Sequence, residues 1–147
     1  MEVASFFSKP SILHSKHILL VIAHPDDEVM FFSPLLNIAA QKSSKVSILC
    51  ISNGNYEGLG ETRAKELIKS AAMHGIKYED VHIINIPELQ DGMHTNWPVD
   101  IVADIVVQTS RSIDPSPSIL ITFDEHGASY HPNHISTYFG EIKRYFI

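Results

Sequence analysis

The sequence predicts an α/β fold: a Rossmann-like three-layer sandwich with a mainly parallel sheet. Four short runs are rich in β-branched residues and almost continuously apolar, as strands covered on both faces should be. Helical patterns separate these runs, and an alternation of strand and helix is typical of a parallel, doubly wound sheet. The 147 residues fit one domain, residues 1–147, that is long enough to bury a core.

The predicted strands are residues 17–23, 46–52, 81–86 and 118–123. The first predicted helix, residues 29–41, contains Pro34, which must lie in or near its first turn because a proline farther along would break the hydrogen-bond ladder. The second, residues 61–74, has a glycine at each end. The third, residues 98–113, starts with a proline and repeats valines on one face.

Composition and charge exclude several classes of protein. The net charge of −6 argues against a nucleic-acid partner and against a purely electrostatic hold on an anionic membrane. Acidic residues interrupt the most apolar stretch, residues 18–36, so we expect no transmembrane span, and residues 1–16 lack the apolar core of a signal peptide. Cys50 is the single cysteine, which excludes an internal disulfide framework and predicts a buried, inert thiol. Together these features predict a soluble chain.

Polar residues follow all four predicted strands. In open parallel sheets, ligands bind outside the carboxyl ends of the strands. The segments after the four strands are rich in carboxylate, imidazole or amide groups, and they lie at residues 24–28, 53–54, 87–97 and 124–134. Four such loops at one edge of the sheet predict an active-site rim rather than four solvated turns.

The first of these loops reads His24-Pro-Asp-Asp-Glu28. Acidic residues where a helix should begin can serve as an N-cap, and one acid would be enough for that purpose. Further acids beside an imidazole would repel one another unless a cation were present. Histidine and aspartate are suitable ligands for Zn²⁺. The spacing therefore favours a metal site, with an N-cap as the alternative.

The last loop contains His131 and His134. Their spacing of three allows both rings to project from one face of a helical turn, although histidines bound to backbone carbonyls would explain the same pattern. Gly127 would permit a close approach of the backbone to a ligand. A hydrolytic zinc site needs three protein ligands, an open water position, a base and an acid. The first and last loops together supply such a set.

The two motifs resemble those of the PIG-L/LmbE family of zinc-dependent de-N-acetylases. The matching segments are Ala-His-Pro-Asp-Asp-Glu at residues 23–28 and Thr-Phe-Asp-x-x-Gly-x-Ser-x-His-x-Asn-His at residues 122–134. Within the family, residues 60–67, residues 89–93 with Trp97, and Asn133 resemble the eukaryotic N-acetylglucosaminyl-phosphatidylinositol de-N-acetylases. That resemblance implies a lipid-linked sugar substrate in GPI-anchor synthesis. It also implies a location at the cytosolic face of the endoplasmic reticulum, where the chain would contact the membrane only through the substrate or a partner.

The resemblance also implies a role for each site residue. His24, Asp27 and His134 would bind Zn²⁺. Asp26 would be the general base for the zinc-bound water. His131 would stabilise the oxyanion and protonate the leaving amine, as an imidazolium if a nearby carboxylate outweighs the zinc charge.

Three further residues are candidates for substrate binding. Arg63 would contact the substrate phosphate, or it would form a helix-surface ion pair with Glu61 or Glu66. Asn53 would support the metal loop, or it would only form a turn. Asp124 would lie beside His131 and the substrate.

Trp97 belongs to the family pattern, whereas Tyr130 and the end of the chain depart from it. Trp97 is expected to pack in the core or rim rather than stack on a sugar. Tyr130 replaces a glycine, and its phenol is expected to narrow the site. The chain ends soon after His134, so we expect the C-terminal part of the family fold to be absent. We also expect the family's usual N-terminal membrane anchor to be absent. Deacetylation of a soluble N-acetylglucosaminide, or an inactive truncated binding module, are therefore the alternatives.

Overall fold

A computed structural model describes residues 16–143 of the chain. It contains a four-stranded sheet in which all neighbouring strands are parallel. The spatial order is β3-β2-β1-β4, formed by β1 (His17–Ile22), β2 (Lys45–Cys50), β3 (Val81–Ile83) and β4 (Ile119–Ile121). The four predicted strands are thus confirmed, although the last two are shorter than their apolar runs.

Among the described residues, six helical segments lie between and after the strands, and short 3-10 turns accompany them. They are α1 (Asp27–Met30), α2 (Ser33–Gln41), α3 (Gly60–Met73), α4 (Val99–Ser112), α5 (Gly127–Tyr130) and α6 (Pro132–Lys143). The helices predicted at residues 61–74 and 98–113 are confirmed with ends shifted by a single residue. α5 is irregular, because Ala128 and Ser129 leave helical backbone geometry.

The prediction of one continuous helix over residues 29–41 is wrong. The structure has two helices, and the first already begins at Asp27. Pro34 lies at the start of α2. In a helix running through residue 34, its ring would collide with the carbonyl of Met30 and its missing N–H would leave that carbonyl unpaired. The chain therefore breaks after Met30 and starts a new helix at Ser33.

The sheet is the middle layer of three. On the central strand β1, Ile18, Leu20 and Ile22 are fully buried in the cluster that contains residues of α2 and α3. Leu19 and Val21 are equally buried in the cluster on the opposite face, which contains residues of α4. This alternation confirms the three-layer sandwich, because a strand covered on both faces has no polar face.

The strand order places a crevice beside β1. From β1 the chain adds β2 and β3 on one side, and then β4 on the other. The loops after β1 and β4 therefore diverge at a topological switch point, where α/β proteins bind ligands. The two predicted site motifs follow these two strands.

Two sequence-based expectations concern single features of this fold. Cys50 is fully buried, and burial raises the pKa of its thiol, so it is an inert core residue as predicted. Within residues 16–143, no helix has the length and apolarity needed to cross a membrane.

Candidate metal centre and active site

Three side-chain atoms converge between the loop after β1 and the start of α6. The Nε2 atom of His134 lies 3.3 Å from Nδ1 of His24 and 3.2 Å from Oδ1 of Asp27. The Nδ1 atom of His24 lies 3.8 Å from Oδ2 of Asp27. All three side chains are buried. The structure therefore brings together the three residues that the sequence motifs suggested as metal ligands.

The hydrogen bonds of the two rings leave both converging nitrogens without a proton in the neutral tautomers. His134 donates its Nδ1 proton to the carbonyl of Gly127 at 2.9 Å. His24 directs Nε2 at two acceptors, Oδ1 of Asn133 at 3.0 Å and Oδ1 of Asp91 at 3.1 Å. Two lone pairs and a carboxylate oxygen thus face one another in a buried space. A cation between its members would stabilise such a set.

The spacing of these donors suits a tetrahedral ion. Bonds of ~2.0–2.1 Å in a tetrahedral zinc site place neighbouring ligands about 3.3 Å apart. The imidazoles of His24, His131 and His134 also form a group whose ligand atoms lie within 4.8 Å of one another, so these three residues could hold a metal. The carboxylate oxygens of Asp27 also lie within 4.8 Å of the candidate ligand atoms of His24 and His134, at 3.8 Å and 3.2 Å. By contrast, Nδ1 of His131 already accepts a hydrogen bond from the backbone N–H of Asn133 at 3.2 Å.

The loop after β1 fixes the orientation of Asp27. Its Oδ2 accepts hydrogen bonds from the backbone N–H groups of Ala23 at 3.0 Å and His24 at 2.8 Å. The other oxygen, Oδ1, is therefore the one that faces His134. The sequence alternative of a simple helix N-cap does not describe this residue, because its carboxylate bonds backbone groups that precede α1.

Gly127 fits closely against the second histidine. It has a positive φ of 61°, and a Cβ at this position would lie 2.9 Å from the Cβ of His134. Only glycine provides both the left-handed backbone and the free space. The close approach expected from the sequence is present, and it allows the Gly127 carbonyl to orient the His134 ring.

Asp26 lies at the start of α1 in a strained backbone conformation. Its φ is 103°, in the region that side chains rarely adopt, and such strain is concentrated at functional sites. Partial burial raises the pKa of its carboxyl above the usual range, although the charge of Arg63 opposes the shift. A carboxylate with a raised pKa is suited to accept a proton near neutral pH.

Arg63 holds three loops together. Its Nη2 donates to the carbonyl of Pro25 at 2.8 Å and to Oδ2 of Asp26 at 3.0 Å. Its Nη1 donates to the carbonyl of Gly54 at 2.8 Å and to Oδ2 of Asp91 at 3.3 Å. The alternative of a surface ion pair with Glu61 or Glu66 is therefore wrong, because the guanidinium points from the start of α3 toward Asp26 and Asp91.

His131 precedes α6 rather than sharing a helical turn with His134. Its backbone is extended, with φ −67° and ψ 126°, yet the two rings stack with centroids 4.8 Å apart. Burial, followed by the charges of His24 and His134, lowers the pKa of His131 to about 4. The residue is thus a neutral imidazole at neutral pH. Its Nδ1 accepts from Asn133, so the remaining proton is on Nε2.

Two residues that sequence reasoning left without a role orient the site. Asn133 is fully buried; besides bonding His24, its Oδ1 accepts from Gly92 N–H at 3.2 Å and its Nδ2 donates to Thr95. Asp91 bridges His24 and Arg63. Both belong to segments that the resemblance quoted. Their roles could have been inferred from the sequence, because the Asp91 carboxylate and the Asn133 amide lie in segments predicted at the carboxyl edge of the sheet.

The remaining candidates occupy supporting positions. Oδ1 of Asp124 accepts from the backbone N–H groups of His126 at 3.0 Å and Ala128 at 3.4 Å, so this carboxylate braces the last loop. The Asn53 amide packs against Gly60. Trp97 is buried as predicted. Tyr130 is 73% exposed, and its ring contacts His126.

Comparison with known proteins gives one family and several long relatives. A family model described as PIG-L, GlcNAc-PI de-N-acetylase, matches residues 19–144. A probable N-acetylglucosaminyl-phosphatidylinositol de-N-acetylase of Schizosaccharomyces pombe is 46% identical over 128 residues, which cover 86% of this chain and 50% of that protein. The N-acetylglucosaminyl-phosphatidylinositol de-N-acetylase of Saccharomyces cerevisiae is 44% identical over 126 residues, which cover 81% of this chain and 40% of that protein. The chain spans about half the length of such relatives, or less.

A solved structure shares the fold. The N,N'-diacetylchitobiose deacetylase from Pyrococcus horikoshii, determined with an inhibitor, superposes with a TM-score of 0.70. The match covers 88% of this chain and 49% of that one, at 21% sequence identity. At that identity the likeness concerns the arrangement of strands and helices alone.

Proposed function

The chain belongs to the PIG-L family of GlcNAc-PI de-N-acetylases, and from that premise we propose that it hydrolyses the N-acetyl group of N-acetylglucosaminyl-phosphatidylinositol. The proposed cofactor is one zinc ion, held by His24, Asp27 and His134. The observation that carries this proposal is the convergence of their three donor atoms, 3.2 to 3.8 Å apart, beside the strained carboxylate of Asp26.

When bound, zinc would supply a Lewis acid for the amide carbonyl and would lower the pKa of a water molecule. Asp26 is the proposed general base. Burial raises the pKa of its carboxyl, which makes Asp26 a stronger base than an ordinary carboxylate. Arg63 positions this carboxylate, and its positive charge lowers the pKa of the carboxyl, which opposes the effect of burial.

His131 is proposed to bind the developing oxyanion through its Nε2–H. The backbone N–H of Asn133 occupies Nδ1 and selects this tautomer. A pre-oriented neutral donor stabilises negative charge without first having to be protonated. Since the pKa of His131 is about 4, the proton for the leaving amine is assigned to Asp26, which has just received one. This differs from the sequence-based expectation of an imidazolium acid.

The proposed substrate is supported by the relatives, whose names specify N-acetylglucosaminyl-phosphatidylinositol. Arg63 uses its donors on the protein, so direct contact of this residue with the substrate phosphate requires it to exchange a partner. We propose the cytosolic face of the endoplasmic reticulum as the location, as the resemblance implies. A soluble N-acetylglucosaminide is the second candidate.

A direct assay tests the proposal. The purified chain is given N-acetylglucosaminyl-phosphatidylinositol in detergent or vesicles, and separately a soluble N-acetylglucosaminide, and released acetate is measured. We expect turnover of the lipid-linked substrate that is abolished by a chelator and restored by zinc. Asp27→Asn is the matched control, because it keeps the shape of the site and removes a ligand charge. Zinc-dependent turnover of the soluble compound alone would transfer the proposal to the second candidate, and absence of both activities would refute it.

A further inference from the structure

Large apolar side chains are exposed in the segments that carry the candidate site. In the part of the chain that the structure describes, nine large hydrophobic residues are exposed. Six of them lie in segments that follow the carboxyl ends of the four strands: Val29, Met30, Tyr56, Leu59, Met93 and Tyr130. Every one of the four loops contributes at least one. The other three are Met73, Tyr78 and Phe139, which belong to the end of α3, the turn before β3 and α6.

Four of these residues are joined to the site through the backbone. Met30 donates its N–H to the carbonyl of Asp26 at 2.9 Å. Leu59 accepts from the N–H of Arg63 at 2.9 Å. Met93 follows Gly92, which bonds Asn133, and Tyr130 precedes His131. We call Met30, Leu59, Met93 and Tyr130 the apolar rim. One or two steps, along the chain or through a hydrogen bond, separate each member from a residue of the candidate site.

Tyr130 is the most unusual member of the rim. It combines a positive φ of 59° with a ring that is 73% exposed. A tyrosine in this conformation costs about 1–3 kcal/mol of backbone strain, and its exposed ring buries little area in return. An aromatic ring with a polar tip is suited to the boundary between lipid and water.

We propose that the apolar rim inserts into the surface of a phospholipid bilayer and so places the site opening against the lipid headgroups. The proposal rests on the proposed function, because a lipid-linked sugar has to reach the site from that surface. A protein bound over the same residues would cover the opening through which the substrate enters. A bilayer against the opening does not exclude the substrate, because the lipid-linked substrate lies in the bilayer surface. This contact is direct, and so goes further than the expectation of contact through the substrate or a partner only.

The charge of the chain specifies how the rim binds. With a net charge of −6, the protein is not attracted as a whole to an anionic surface. Binding must therefore come from burial of apolar area, which depends weakly on salt. We expect binding to neutral phosphatidylcholine vesicles that persists at high salt and does not increase when phosphatidylserine is added.

The test is co-sedimentation of the full chain with phosphatidylcholine vesicles. The rim variant carries Met30→Gln, Met93→Gln and Tyr130→Gly, where glycine also relieves the backbone strain. Loss of three inserted side chains should weaken vesicle binding by about tenfold or more. The single variant Met93→Gln, in a loop, gives the same direction of change should the triple variant unfold, as judged by circular dichroism.

The control carries Tyr78→Gln and Phe139→Gln, which remove exposed apolar side chains outside the segments that carry the site. This variant should bind as the wild type does. Residues 1–15 lie outside the described part and include Phe6 and Phe7, so a Phe6→Ser/Phe7→Ser variant serves as a second control. The proposal is overturned if the wild type does not bind vesicles. It is equally overturned if either control loses as much binding as the rim variant.

Failure of the rim is distinguishable from failure of the proposed function. Turnover of a soluble N-acetylglucosaminide should be the same for the rim variant and the wild type, since no rim residue is assigned to zinc or to proton transfer. Turnover of the lipid-linked substrate in vesicles should fall in parallel with vesicle binding. Equal loss on both substrates would refute the rim and show damage to the site. Vesicle binding by the rim remains measurable even in a chain without deacetylase activity.

Discussion

Replacement of Arg63 tests how the site is held together. Arg63→Met removes the charge and all the hydrogen bonds of the guanidinium, while it keeps most of the aliphatic stem. Arg63→Lys keeps a positive charge but cannot bond Pro25, Asp26, Gly54 and Asp91 at the same time. The pair of variants therefore separates the electrostatic effect of Arg63 on Asp26 from its effect on loop geometry.

The structure gives the size of each effect. The contact between Arg63 and Asp26 is 3.0 Å long, but the carboxylate side chain is 51% exposed, so the ion pair is worth only about 0.2–1 kcal/mol. The two bonds to the carbonyls of Pro25 and Gly54 add about 1 kcal/mol each. With a further contribution of about 0.2–1 kcal/mol from the contact with Asp91, we expect Arg63→Met to lower the free energy of unfolding by about 2–4 kcal/mol. Misplacement of Asp26 should reduce kcat about 10²-fold.

The pH profile provides a separate observable. The Arg63 charge lowers the pKa of Asp26, so its removal raises that pKa. The base must be ionised to act, and the acid limb of the kcat profile should therefore move to higher pH in Arg63→Met. The ion pair between Arg63 and Asp26 is worth at most about 1 kcal/mol. Since a pKa shift of one unit corresponds to about 1.4 kcal/mol, the acid limb should move by less than about one pH unit. Arg63→Lys should lose kcat with little movement of the limb.

Released acetate is measured between pH 4 and about 9, with zinc content determined for each variant. An acid limb that moves to lower pH in Arg63→Met would refute the assignment of Asp26 as the base. Wild-type turnover in both variants would refute the positioning role of Arg63.

Three further experiments test other parts of the site. Asp26→Asn should keep zinc, measured by elemental analysis, and lose about 10²–10⁴-fold in turnover, whereas Asp27→Asn should lose the metal; the reverse result would exchange their roles. Gly127→Ala should destabilise the chain by several kcal/mol in thermal unfolding, and clearly more than Gly58→Ala, which has a similar positive φ but open space around it. His131→Ala should keep zinc and lose about 10²-fold or more in kcat; unchanged turnover would leave this residue a structural role.

The fold was predictable because burial on both faces leaves a clear pattern in the sequence. The β1 run has no polar residue from Ile18 to Ile22, and helical segments separate it from the other strands. The break at Phe31 and Phe32 was not predicted, because the helical periodicity continues across Pro34. Hydrophobic periodicity takes no account of the steric clash of the Pro34 ring, and this clash determines that α2 starts at Ser33.

The candidate ligands were predictable because they lie in two short motifs. Local spacing places His24 beside Asp27 in one loop, and His131 near His134 in the other. The supporting residues were not, because their contacts join distant parts of the chain: Asp91 reaches His24 across 67 residues of sequence. The state of His131 likewise depends on burial and on neighbouring charges, which only the folded arrangement determines.

The central claim is that one zinc ion binds His24, Asp27 and His134. A crystal structure of the zinc-loaded chain, with anomalous data collected at the zinc edge, tests it most directly. We expect one peak within about 2.0–2.2 Å of Nδ1 of His24, Nε2 of His134 and a carboxylate oxygen of Asp27, with His131 outside bonding distance. A peak bound by the three imidazoles without Asp27, or no peak at this position, would contradict the claim.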